Sequence, residues 1–110
     1  MESKTYTVEQ LTKIGGKLWE QGNMRRVYFN SLAERIGFEY TTYNTGNISS
    51  ATLNGDRISN SQGRSLYWLT KTLKIWYDLT TGQFAYRSDT RDGARWAAEI
   101  IASIEAELAA

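Results

Sequence analysis

The sequence predicts an α+β fold: a mostly antiparallel sheet of about four to five strands with helices packed on one face, in the order α-β-α-β-β-α-β-β-α. Three observations predict it. Leu73–Arg87 (LKIWYDLTTGQFAYR) alternates apolar and polar residues with period two around a turn. Three segments begin with the helix-opening pattern Ser/Thr-x-x-Glu/Gln, at Thr7–Gln10, Ser31–Glu34 and Ser59–Gln62. Strand-like runs sit next to one another between those helices, which favours antiparallel pairing over βαβ crossovers. The 110 residues, 41% hydrophobic, suffice for one modest core and are read as a single domain, 1–110, without repeat, linker or low-complexity segment.

The elements follow in order. Residues 1–6 are expected to fray. Thr7 caps a first helix whose stripe is Val8, Leu11, Ile14 and Leu18, ending at Gly22. Gly15 and Gly16 lie inside it, so either something packs closely there or the helix breaks. Met24–Phe29 reads as a strand. Ser31 caps a short helix with Leu32 and Ile36 inward, stopped by Gly37. Phe38–Tyr43 alternates as a strand, Asn44–Asn47 is a turn, and Ile48–Leu53 is a weak strand before the hairpin signal Asn54-Gly55. Its centre, Ser49 to Thr52, is small and polar, so a helical turn over 48–53 is the alternative. Ser59 opens a helix to about Lys71, with Leu66 and Leu69 inward.

The hairpin is the most fully specified element. Asp78 starts the turn and Gly82 supplies the positive φ that closes it. Pairing Asp78 with Gln83 places Tyr77 opposite Phe84, Trp76 opposite Ala85, Ile75 opposite Tyr86 and Lys74 opposite Arg87. Leu73, Ile75, Tyr77, Phe84 and Tyr86 then share an apolar face predicted to be core, and Lys74, Trp76 and Arg87 share the other. The last helix is expected over 90–109, capped by Asp89, with Ala97, Ile100, Ile101, Ile104 and Leu108 as its apolar stripe.

Composition excludes most catalytic chemistry. With no His and no Cys, the commonest general base, the usual zinc ligands and the thiolate nucleophile are missing. The carboxylates outside the last helix show no metal-binding spacing, and no serine-hydrolase or P-loop motif occurs. The expectation is therefore a protein that is not an enzyme and carries no cofactor or metal. No apolar run reaches membrane-spanning length, and the first ten residues lack a signal-peptide layout. No membrane association is expected, and the cytoplasm is the default location.

Two clusters are candidates for binding. Arg25 and Arg26 precede Tyr28 on a strand, and parity allows only Arg26 to share the Tyr28 face. The functional reading is a phosphate or carboxylate clamp; the structural one is an ion pair with Glu20 or Glu34. The second cluster is Lys74, Trp76 and Arg87, followed by Arg91 and Arg95 four residues apart, with Arg64 and Lys71 on the preceding helix. A tryptophan among cations can stack a base beside phosphate contacts or anchor a protein interface. Alternatively the last helix covers Trp76, with Trp96 as the covering group.

Net charge is +1, which gives no global pull towards nucleic acid. Charge is uneven, however: residues 56–87 hold five basic and two acidic side chains, and residues 88–110 two basic and five acidic. Glu99, Glu105 and Glu107 read as a solvated face. The leading functional expectation is a small binding protein acting through a protein–protein surface, as an adaptor or inhibitor. Small inhibitors encoded by phages and other mobile elements share this size class. A nucleic-acid-binding domain using the basic and aromatic face is the second reading, and a small-ligand binder the third. A homodimer through the stripe of the last helix is a further option.

Overall fold

The computed structural model describes residues 5–110. Among them lie α1 (Val8–Lys13), β1 (Gly16–Gln21), β2 (Met24–Phe29), α2 (Leu32–Arg35), β3 (Phe38–Thr42), β4 (Ile48–Leu53), β5 (Asp56–Ile58), α3 (Asn60–Thr72), β6 (Lys74–Asp78), β7 (Gln83–Arg87) and α4 (Gly93–Ala109). The class is α+β. The strands form two antiparallel sheets rather than one: β1-β2-β6-β7, and β3-β4-β5. Two strands lie beyond the predicted order, β1 and β5, one at an edge of each sheet.

The first helix is the largest correction. Its capping box forms: the Gln10 N–H donates to Thr7 Oγ1 at 3.1 Å, and the Thr7 N–H donates to Gln10 Oε1 at 2.9 Å. The helix then ends at Lys13, because Gly15 adopts φ 103° and leaves helical space. Gly16 starts β1, where a Cβ would collide with the Val27 side chain and come within 2.8 Å of the Leu11 carbonyl oxygen. Both alternatives read for Gly15-Gly16 therefore hold, one for each residue. Gly22, expected to end the helix, takes φ 58° in the β1–β2 hairpin turn. Leu18, placed on a buried helical stripe, is a strand residue 42% exposed.

Two other caps depart from expectation. Ser31 holds φ 58°, in left-handed space, and its hydroxyl does not cap α2. Asp89 does not open α4. The hydroxyl of Ser88 accepts from the Thr90 N–H at 3.1 Å, and this turn delays the helix to Gly93. Ser59 does form its capping box with Gln62 and starts α3. Of the start expected to fray, residues 1–4 lie outside the described residues. Tyr6 is docked: its N–H donates to the Tyr77 hydroxyl at 3.2 Å and its ring packs edge-on to Tyr77.

The weak centre of β4 has a packing reason. Gly63 on α3 is buried against Ala51, whose Cβ would stand 2.7 Å from a Cβ at position 63. Helix and strand approach so closely that only small residues fit, and Ala51 is 1% exposed. The segment is a strand, not a helical turn. Asn54 (φ 53°) and Gly55 (φ 86°) then turn the chain into β5, as two positive φ angles require in this type of hairpin.

The β6–β7 hairpin has the predicted register at all five pairs, from Lys74↔Arg87 to Asp78↔Gln83. Leu73, Ile75 and Tyr77 are buried, and Phe84 packs partly against the core. Tyr86, predicted as core, is 45% exposed, on the edge strand β7, which has a neighbour on one side only. The core is one cluster on this side of the four-stranded sheet, joined by Leu11, Val27, Ile100 and Ile104. Ala97, Ile100 and Ile104 spend the α4 stripe inside the chain's own core. Arg35 ties three elements together: it pairs with Glu107 of α4 at 2.9 Å and donates to the Ile14 carbonyl beyond α1 at 2.9 Å. Glu107 is exposed, as the solvated-face reading expects, and it also serves as an ion-pair partner for Arg35.

Substituting Gly16 tests the close approach of β1 to β2 and α1. Gly16→Ala is expected to lower unfolding free energy by about 1–3 kcal/mol through overpacking. Lys17→Ala, one residue along and exposed, should stay within about 0.5 kcal/mol. Urea denaturation followed by tryptophan fluorescence reads both.

Candidate functional site

One face of the four-stranded sheet is core, so strand parity sends the alternate residues to the other. β1 presents Lys17, Trp19 and Gln21, and β2 presents Met24, Arg26 and Tyr28. β6 presents Lys74, Trp76 and Asp78, and β7 presents Gln83, Ala85 and Arg87. None of these side chains is buried. Four are cations and one is a carboxylate. That carboxylate, Asp78, is turned into its own hairpin, where it accepts from the N–H groups of Thr80 and Thr81 at 2.8 and 3.3 Å.

The register builds an aromatic row across this face. Tyr28 lies directly opposite Trp76, and Trp19 directly opposite Arg26. The rings of Trp19 and Tyr28 meet edge to face at 5.9 Å, and those of Tyr28 and Trp76 are tilted at 5.5 Å. Arg26 lies among them. Its guanidinium is 4.5 Å from the Trp76 ring centroid and 5.6 Å from that of Trp19, and it donates to the Tyr28 hydroxyl at 3.0 Å. This places a planar cation beside three half-exposed rings, held by a cation–π contact worth about 0.5–2 kcal/mol.

At the end of the face where β2 stops and β6 starts, the sheet meets a wall. The wall is made by Asn30 and Ser31, between β2 and α2, and by Thr70 and Lys71 in the last turn of α3. The half-open pocket there measures about 570 Å³, and Arg26, Tyr28, Lys74, Trp76 and Arg87 line it over a base of Phe29, Leu32 and Leu73. Among the described residues, no carboxylate lines it.

Of the residues singled out in the sequence, Arg26, Tyr28, Lys74, Trp76 and Arg87 therefore come together. Arg25 does not: it belongs to the opposite face and pairs across the strands with Glu20 at 3.3 Å. Arg91 and Arg95 do not either. They line a separate groove of about 670 Å³ between α3 and the start of α4, together with Arg64, Trp68 and Trp96. Trp96 is buried there, with the Arg95 guanidinium 4.9 Å from its ring, and does not cover Trp76. What lies over Trp76 is Arg26.

Trp19 and Lys17 are not among the candidates the sequence offers, because the helical spacing from Val8 to Leu18 places residues 16–21 in a helix. The signal was present: the alternation Lys17-Leu18-Trp19-Glu20 follows a glycine pair and precedes Gly22-Asn23. Asn30 and Ser31 are absent from those candidates too, because the capping-box pattern gives Ser31 a helix start. Among the described residues, no three acidic side chains gather where they could hold a metal ion. No helix among them is long and apolar enough to cross a membrane. Comparison with protein-family models, with curated proteins and with solved structures gives no match.

Proposed function

We propose that this chain is a non-catalytic binding protein that holds single-stranded nucleic acid on the open face of its four-stranded sheet. The supporting observation is the row Trp19, Tyr28 and Trp76, half-exposed, with the Arg26 guanidinium among the rings. Bases stack on aromatic rings and on guanidinium planes alike, so such a floor accepts unpaired bases without reading sequence. Lys17, Lys74 and Arg87 flank the row and supply charge for the backbone. A local excess of cations serves this purpose even though the whole chain is near neutral.

Oligothymidylate titrated into the protein should bind with a strong salt dependence. If Lys17, Arg26, Lys74 and Arg87 each neutralise one phosphate, the slope of log affinity against log salt is about −3. Trp76→Ala should weaken binding about tenfold, since stacking on one ring is worth about 1–3 kcal/mol per base. Its circular dichroism should stay unchanged. Absence of binding at low salt sinks the reading, and unfolding of Trp76→Ala would show that its ring belongs to the core.

A protein partner is the second reading, and a different surface favours it. Trp68 on α3 is 58% exposed beside Arg64, Arg91 and Arg95 in the α3–α4 groove, where Asp92 is the one carboxylate. Exposed tryptophan with arginine is the composition of an interface anchor for an acidic surface. A pull-down from the producing host checks this. A partner retained by the native chain should be lost by Trp68→Ala and by the pair Arg91→Glu and Arg95→Glu, and should survive Trp76→Ala. A partner unaffected by the groove substitutions would discard this surface.

A further inference from the structure

Three locally unfavourable features converge on the cavity at the walled end of the open face. Lys74 and Arg87 stand directly opposite each other on β6 and β7, where like charges destabilise a sheet. Among the described residues neither has a carboxylate within ion-pairing distance. Ser31 holds a left-handed backbone conformation, uncommon for a residue with a side chain, and its hydroxyl makes no cap bond in return. Such departures from local preference concentrate at functional sites. Here all of them line one cavity, with Arg26 and Lys71 also on its walls and no acid among the lining residues.

An anion seated between Lys74 and Arg87 turns their repulsion into two attractions. Asn30 and Ser31 offer amide and hydroxyl donors to its oxygens, while the Thr70 hydroxyl beside them already donates to the Tyr67 carbonyl at 3.0 Å. Tyr28 and Trp76, which line the same cavity, offer rings to a base attached to it. The β2–α2 junction and the last turn of α3 border this end of the face, whereas the far end of the sheet runs out into the exposed turns at Gly22-Asn23 and Thr80-Thr81.

We propose that this cavity binds the terminal phosphate of the strand, with the terminal base over Trp76 and Tyr28. The source of the phosphate rests on the nucleic-acid reading above. A phosphomonoester carries close to two charges at neutral pH, where an internal phosphodiester carries one. A pocket with this many cations and no carboxylate therefore favours a strand's end over its middle.

The test compares oligothymidylates of about twelve nucleotides, a length within ordinary site sizes, carrying a 5′-phosphate, a 3′-phosphate or neither. Thymidine monophosphate and inorganic phosphate serve as competitors. One phosphorylated end should bind about tenfold tighter than the unphosphorylated strand, as charge-assisted contacts allow. Lys74→Glu, which places an acid opposite Arg87, should abolish that preference. It should also raise the thermal midpoint by a few degrees, which shows the variant to be folded. Equal affinity for all three strands overturns the end-binding assignment and leaves the open-face reading standing. Binding of thymidine monophosphate with no binding of any strand overturns both the strand as source and the open-face reading.

Discussion

The arrangement of this molecule depends on the parity of its two central strands. Val27 and Phe29 of β2 and Ile75 and Tyr77 of β6 are all buried. Because side chains alternate across a strand, burying those four forces Arg26, Tyr28, Lys74 and Trp76 to the opposite face. A slip of one residue in the β2–β6 pairing would exchange the two sets and put an arginine and a lysine into the core, at a cost that burial of unpaired charge makes prohibitive. The open face is therefore a consequence of the core. Its aromatic and cationic character is fixed by the same hydrophobic burial that holds the sheet in place.

Close packing by glycine supports that sheet from two sides. Gly16 lets β1 lie against Val27 and the end of α1, which adds a fourth strand and brings Trp19 beside Tyr28. Gly63 lets α3 sit down on Ala51 of β4, joining the small sheet to the rest. The position of α3 in turn sets where its last turn stands, and Thr70 and Lys71 of that turn border the cavity. A packing requirement deep in the α3–β4 contact thus shapes the proposed binding surface some distance away. Arg35 does comparable work on the core side, where its single side chain joins α1, α2 and α4.

The energies at the open face point the other way from those of the core. Arg26 gains from its contacts with Trp76 and Tyr28, but Lys74 faces Arg87 and Ser31 is held in left-handed space. Each opposes folding by an amount of order 1 kcal/mol, small against the burial of the core and readily carried by it. A core this continuous tolerates a face whose like charges and left-handed residue disfavour folding. The α3–α4 groove differs in kind, because there the large exposed side chain is Trp68 and the arginines lie apart from the sheet.

The sequence by itself determined the local elements wherever one short-range signal governed them. These are the capping boxes at Thr7 and Ser59, the turns at Asn54-Gly55 and Gly82, and the whole register of the β6–β7 hairpin. It also determined that Arg26 and not Arg25 shares a face with Tyr28. Where a local pattern competed with a long-range contact, tertiary structure decided. The stripe from Val8 to Leu18 has helical spacing, yet Gly15 and Gly16 divide it because β1 gains a partner in β2 that the sequence does not name. Ser31 has the pattern of a cap, yet the chain must turn there to bring Leu32 and Ile36 into the core. Trp76 lay between two readings because its cover depends on which face α4 takes. Helix α4 packs with the core, and the ring is left to Arg26 and to solvent. Period and caps are properties of a few neighbouring residues, whereas the side of a sheet that a helix covers is settled only when all the apolar faces are buried together.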